Sequence, residues 1–275
     1  MTSDASATRS AYTTHERPLF FAHRGGSTLA PENTLPAFEN GLKLGADALE
    51  TDIHYTRDGE IVAIHDDTLE RTTNGSGPVS ALTYDELRRL DAGYHFTPDG
   101  GATYPYRGQG VTVPRLAEVF ARFPDVRVNI DIKLGDEEND RRFARLALDH
   151  GGEERVMVGS FDYPAIARFR ELSEGRVATA ASAPEARMFL LRVLFRATRG
   201  MRVPYDALQV PEVQSGIRVV SQTSIRLAHQ LGLDLHVWTV DDRATMERLL
   251  DWGVDGVMTD RPDTLAEVYR ARGGR

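Results

Sequence analysis

The sequence predicts an α/β fold: a TIM (β/α)8 barrel with a small cap insertion after the second strand. Two observations carry the prediction. Short apolar runs alternate about eight times with segments of helical period, the pattern of βαβ units around a parallel sheet. At 275 residues the chain is also long enough for eight such units, which take about 250 residues. An open, doubly wound sheet is the competing architecture.

Taken in order, Met1–Arg17 is polar, with no apolar stretch of the kind a secretory signal needs. It is expected to be a disordered tail (residues 1–17) ahead of one barrel domain spanning 18–275. The strand candidates are Leu19–His23, Ala48–His54, Val126–Lys133, Val156–Phe161, Val177–Ala181, Leu208–Val210, Leu235–Val240 and Gly256–Thr259. Helical spacing lies between them, as at Leu116–Phe123, Phe143–His150, Ala165–Leu172, Ile225–Leu231 and Ala244–Trp252. The stretch from Asp66 to Gly110 is too long for an ordinary βα loop and is rich in Gly, Thr, Pro and Tyr. In a barrel such an insertion falls on the C-terminal face. With few apolar residues, it is expected to lack a core of its own. Met188–Arg196 is apolar nearly all round as a helix, with Arg192, Arg196 and Arg199 in one stripe. Residues 188–199 thus read either as a helix packed on the sheet or as a lip for peripheral membrane contact.

Composition removes several classes of function. A net charge of −8 argues against a nucleic-acid partner, which selects a basic surface. The chain has no cysteine, so disulfides, thiolate nucleophiles and zinc–sulfur sites are out. No apolar run approaches the length that spans a bilayer. A cytoplasmic protein is the expectation, and oligomeric state is not readable.

The chemistry concentrates near the N-terminus. His23-Arg24-Gly25-Gly26 and His65-Asp66 each follow an apolar run, and Glu50 and Asp52 lie between them. Residues two apart on a strand share a face, so Glu50 and Asp52 point together into the barrel. Asp131 and Lys133 repeat the arrangement on the next barrel strand, with Ile130 and Ile132 turned outward. Converging carboxylates must be paired or bind a cation. Oxygen-only ligation favours Mg2+ or Ca2+, with Mn2+ as a further choice, over zinc. A salt-bridge cluster with Arg24 and Lys133 is the alternative. The histidines have the pKa range for proton transfer near neutrality. Arg24 offers a fork matched to phosphate oxygens, Lys133 adds a second charge, and Gly25 and Gly26 would let backbone approach a ligand. This is equipment for metal-assisted cleavage of a phosphodiester. Trp238 either stacks on a ligand or fills the barrel top. Gln209 is a candidate hydrogen-bonder. Glu32 and Asn33 could touch ligand, but helix capping is enough to explain Asn33.

These motifs, with Pro31-Glu-Asn-Thr34, Leu69-x-Arg-Thr-Thr73, Asn129-Ile-Asp-Ile-Lys133, Val237-Trp-Thr-Val240 and Gly253-Val-Asp-Gly-Val-Met-Thr-Asp260, resemble the glycerophosphodiester phosphodiesterases. The resemblance covers nearly everything after Pro18. It implies a divalent metal and hydrolysis of the diester joining glycerol 3-phosphate to an alcohol. By matching position it makes His23 and His65 the acid–base pair, Glu50 and Asp52 metal ligands, and Arg24 and Lys133 phosphate binders. Asp131 stands where that family commonly has a longer Glu. A lysophospholipase D acting on the same site is the nearest rival, and a non-catalytic binding barrel is the third. A metal-dependent amidohydrolase would want His-x-His where Phe21-Ala-His23-Arg24 stands.

Overall fold

The computed structural model describes residues 10–133, 135–195 and 203–273. Among them, eight parallel strands form the barrel: β1 (Leu19–Ala22), β2 (Ala48–Tyr55), β3 (Arg127–Ile132), β4 (Val156–Gly159), β5 (Ala178–Thr179), β6 (Ala207–Val210), β7 (Asp234–Val237) and β8 (Gly256–Thr259). Each pairs with its sequence neighbour except β5 with β6, and β1 also pairs with β8. A parallel bridge from Ala180 to Ala207 joins β5 to β6 and closes the ring.

A helix follows every strand: α1 (Leu35–Leu44), α2 (Leu116–Arg122), α3 (Glu137–Asp149), α4 (Tyr163–Leu172), α5 (Ala183–Leu194), α6 (Gln222–Gln230), α7 (Arg243–Trp252) and α8 (Pro262–Ala271). The α3 helix starts six residues before the apolar period does. Asp136 caps it, accepting from Asn139 N, and Glu137, Glu138 and Asp140 fill its first turn. Acids there complement the helix dipole but carry no apolar signal. Strand alternation sends Phe20, Leu49, Ile53, Ile130 and Ile132 outward to the helices. Leu19, Phe21, Ala48, Met157, Ala178, Ala207 and Met258 fill the interior.

Two expectations are corrected. Residues 1–9 lie outside the described residues, but Ser10–Arg17 is not loose. It forms a short helical turn, Ala11–Thr13, whose Tyr12 is fully buried within the interior cluster. One aromatic in a polar stretch has no period to betray it. The insertion, in turn, has a small core of its own, built from Val62, Ile64, Leu69, Val79, Leu87, Val111 and Val113. Several of these flank the polar stretch rather than lie within it. No helix among the described residues is long and apolar enough to cross a membrane.

Candidate active site

Nine sequence-derived candidates line one pocket of about 190 Å3 on the barrel: His23, Arg24, Glu50, Asp52, His65, Asp131, Lys133, Gln209 and Trp238. The strands explain how. Asp52 is level with Asp131 in the β2–β3 pairing, so the two carboxylates face each other across neighbouring strands. His65 arrives by a different route from the one its apolar prefix suggested. Ile61–Ala63 folds back antiparallel to β2, and Ile64 N donates to the Asp52 carbonyl. This returns His65 beside Asp52 from outside the ring.

Each imidazole is held through Nδ1 by its own carboxylate. His23 Nδ1 lies 2.7 Å from Asp260 Oδ1, and His65 Nδ1 lies 2.6 Å from Asp66 Oδ1. A carboxylate accepts, so Nδ1 carries the proton and Nε2 is the nitrogen left for the pocket. His23 Nε2 is 3.8 Å from Glu50 Oε2. Burial disfavours the imidazolium of His23, but Glu50 and Asp260 outweigh it and raise the pKa. Asp66 and Asp260 were visible in the motifs without an assigned role. Only the fold shows that they orient the two rings.

The acids are unevenly compensated. Lys133 Nζ sits 2.8 Å from Asp52 Oδ1 and 2.6 Å from Asp131 Oδ2, and those charges hold it protonated against its burial. Arg24 Nε is 3.3 Å from Asp52 Oδ2. Glu50 has no such cation: it accepts from the Arg24 backbone N–H at 2.9 Å. Burial, with Asp52 adding, pushes its carboxyl up to about 7. Three carboxylates thus face two permanent cations. A buried acid raised in this way calls for additional positive charge, and the all-oxygen donor set fits a hard divalent cation.

The loop after β1 does more than expected. Arg24 has φ 50°, a strained conformation for a side-chain-bearing residue, and this aims its amide at Glu50. Gly25, at φ 85°, is needed for helix packing: a Cβ there would lie 2.7 Å from Ala37. Gly26 is crowded in the same way by Pro262. Close ligand approach is therefore not what these glycines provide. Asn33 is not the helix cap. Thr34 takes that place, while Asn33 donates to Asp52 Oδ2 at 3.0 Å and accepts from Thr51 Oγ1 at 2.7 Å. Glu32 bridges Arg24 and Arg71. Trp238 meets Phe161 edge to face at 5.7 Å, and Phe161 is 58% exposed at the mouth. The Gln209 amide nitrogen is engaged by Asn129 Oδ1 at 2.7 Å.

The fold is a TIM barrel whose pocket gathers imidazoles, carboxylates and cations. The chain matches the glycerophosphoryl diester phosphodiesterase family over residues 23–264. It is 33% identical over 271 residues to the glycerophosphodiester phosphodiesterase of Caldanaerobacter subterraneus subsp. tengcongensis, covering 94% of this chain and all of that protein. A human lysophospholipase D is 27% identical over 274 residues, covering 90% and 84%. A solved Oleispira antarctica phosphodiesterase, in complex with the product sn-glycerol-3-phosphate, superposes with a TM-score of 0.74 at 25% identity, covering 95% and 100%. The chain belongs to the glycerophosphoryl diester phosphodiesterase family.

Proposed function

We propose that the protein hydrolyses glycerophosphodiesters to sn-glycerol 3-phosphate and an alcohol, with His23 and His65 as the acid–base pair. One observation carries this reading. The two imidazoles, each fixed through Nδ1 by a carboxylate, share one pocket with Glu50, Asp52 and Asp131. Cleavage needs one proton taken from the attacking oxygen and another given to the leaving alkoxide. Two oriented rings supply both, and proton exchange with water then returns each ring to its starting state. Glu50, Asp52 and Asp131 would hold Mg2+ or Ca2+, with Mn2+ as the third choice. Such a cation neutralises charge that grows on the phosphate oxygens. Arg24 and Lys133 orient the phosphate, and Trp238 with Gln209 bounds the substrate. The test is choline release from glycerophosphocholine, with and without EDTA, followed by add-back of Mg2+, Ca2+ and Mn2+. Activity indifferent to EDTA would remove the metal. Activity retained in both His23→Ala and His65→Ala would remove the acid–base pair.

A specific observation favours a second substrate on the same site, a lysophospholipid. Met188, Leu191, Leu194 and Phe195 are 51–74% exposed on or just after α5. The Ala183 N–H at the start of that helix donates to the Phe161 carbonyl, which ties the helix to the pocket mouth. From there the helix runs back along the barrel, so its exposed apolar side would dock the protein on a membrane that presents such a lipid. Of the span 188–199 read this way, residues 196–199 lie outside the described residues. Rates on lysophosphatidylcholine and glycerophosphocholine, compared side by side, decide between the two substrates.

A further inference from the structure

A polar network inside the barrel decides which way the Gln209 amide faces. Asp234 opens β7 and His236 follows two residues on, so the two side chains share a face. His236 is level with Gln209 on β6. Its Nε2 lies 3.6 Å from Asp234 Oδ2, an oxygen that His15 Nε2 also approaches at 2.9 Å. A carboxylate only accepts, so the His236 ring carries its proton on Nε2 and keeps Nδ1 as an acceptor. The Gln209 atom 3.2 Å from that Nδ1 is therefore the amide nitrogen, which donates.

The other amide hydrogen goes to Asn129 Oδ1 at 2.7 Å, with Met157 Sδ beside the nitrogen at 3.3 Å. Both donors are thus taken up by the barrel wall, and the Gln209 carbonyl oxygen Oε1 is turned away from it. Among the described residues Oε1 has no hydrogen-bond partner, and neither has Asn129 Nδ2. Both residues line the pocket. Gly159 keeps the space in front of Oε1 open: a Cβ there would stand 3.4 Å from Oε1 and 3.7 Å from Asp131 Oδ1. An unengaged acceptor beside an unengaged donor is the complement of a hydroxyl, which can both donate and accept. A phosphate oxygen does not fit opposite Oε1, because a diester anion only accepts.

We propose that Gln209 Oε1, with Asn129 Nδ2, reads a free hydroxyl of the substrate's glycerol moiety, and that His236 is the positioning residue that presets it. This rests on the glycerophosphodiester reading above and adds the group that selects glycerol over a plain alkyl chain. The selection is built into the fold: Asp234 fixes the tautomer of His236, His236 fixes the amide of Gln209, and the amide presents its oxygen to the pocket. An acceptor held in place beforehand loses little freedom when substrate arrives. A substrate without the hydroxyl would leave Oε1 and Nδ2 unpaired on a wall where Asn129 is 2% exposed. Unpaired polar groups of that kind are how a site rejects an analogue lacking one hydroxyl.

The test compares kcat/KM of the full chain on glycerophosphocholine and on its two monodeoxy analogues, 3-hydroxypropyl and 2-hydroxypropyl phosphocholine. Wild type should prefer glycerophosphocholine to at least one analogue by about tenfold or more. Gln209→Met, which keeps the length of the side chain and removes the acceptor, should bring that ratio close to one. His236→Leu should lower it in the same direction, and His236→Asn, whose Oδ1 can stand in for Nδ1, should restore it. General damage to the site would lower all substrates alike and leave the ratio where it was. The proposal is overturned if wild type shows no preference over either analogue, or if Gln209→Met keeps the wild-type ratio. A ratio unmoved in His236→Leu removes the positioning role. Should that variant not fold, Gln209→Met decides the hydroxyl reading by itself. If wild type does not cleave glycerophosphocholine at all, the functional reading above is what fails. Calorimetric binding of sn-glycerol 3-phosphate against 3-hydroxypropyl and 2-hydroxypropyl phosphate, in wild type and Gln209→Met, then decides the role of Gln209 without turnover.

Discussion

His23 Nδ1 stands 2.7 Å from Asp260 Oδ1, although the two residues are 237 positions apart in the chain. The barrel's closure makes the contact: Ala22, just before His23, pairs with Thr259, just before Asp260. The carboxylate fixes which ring nitrogen bears the proton and leaves the other toward Glu50. Asp260→Asn should therefore lower kcat by about 10²-fold or more, the low end of what a general acid or base contributes, with KM little moved. Steady-state kinetics on glycerophosphocholine, with a circular dichroism spectrum to show the fold intact, checks this. An unchanged kcat would mean the ring needs no such partner.

Asp66 makes the matching contact to His65 and also accepts from Arg71 Nε at 2.5 Å. The Arg71 hydrogen bond first, and His65 after it, outweigh partial burial and hold the carboxyl at about 2. An unfolded aspartate titrates near about 3.9. A depressed folded-state value means that stabilisation is complete above the unfolded value and is lost as pH falls through the folded one. Asp66→Asn should thus melt below wild type at neutral pH, and the gap should close between about pH 4 and pH 2. Thermal melts across that series test it. A gap that stays constant down to pH 2 contradicts the assignment.

Strand alternation made the acid cluster legible: Glu50 with Asp52, and Asp131 with Lys133, are each two apart and do share an inward face. The paired outward turn of Ile130 and Ile132 was legible for the same reason. What the sequence hid is contact over distance and contact without period. Nothing near His23 announces Asp260, and nothing near His15 announces Asp234. Asn33 has the residue type and position of a helix cap, yet its amide reaches β2 to brace Asp52. Tyr12 is one aromatic among polar neighbours, too few for any periodic signal, but it enters the barrel's interior.

Asp131 is the shortest of the three acids relative to what the family resemblance implies, and it is drawn to Lys133 at 2.6 Å. If it holds the divalent cation, Asp131→Ala should raise the half-saturating Mg2+ concentration by about tenfold or more, the scale on which even outer-shell changes act. Asp131→Glu should leave that concentration equal or lower it, because the longer side chain restores reach. Magnesium titrations of EDTA-stripped protein measure both. If Asp131→Ala leaves the titration unmoved, the carboxylate belongs to the Lys133 ion pair and not to the metal.

The exposed side of α5 combines apolar bulk with cationic charge in a chain of net charge −8. Met188, Leu191, Leu194 and Phe195 recur at helical spacing with the exposed Arg187 and Arg192 among them. Such a face gains from burying apolar area at a lipid interface and from the attraction of anionic headgroups. Leu191→Asp/Leu194→Asp removes the apolar term without touching the pocket. It should abolish cosedimentation with vesicles containing phosphatidylserine and lower the rate on lysophosphatidylcholine, while glycerophosphocholine is cleaved as before. The two substrates separate docking from chemistry, because only one is presented from a surface. If wild type does not sediment with such vesicles, or if the variant loses both activities together, the helix serves the fold and the lysophospholipid reading falls with it.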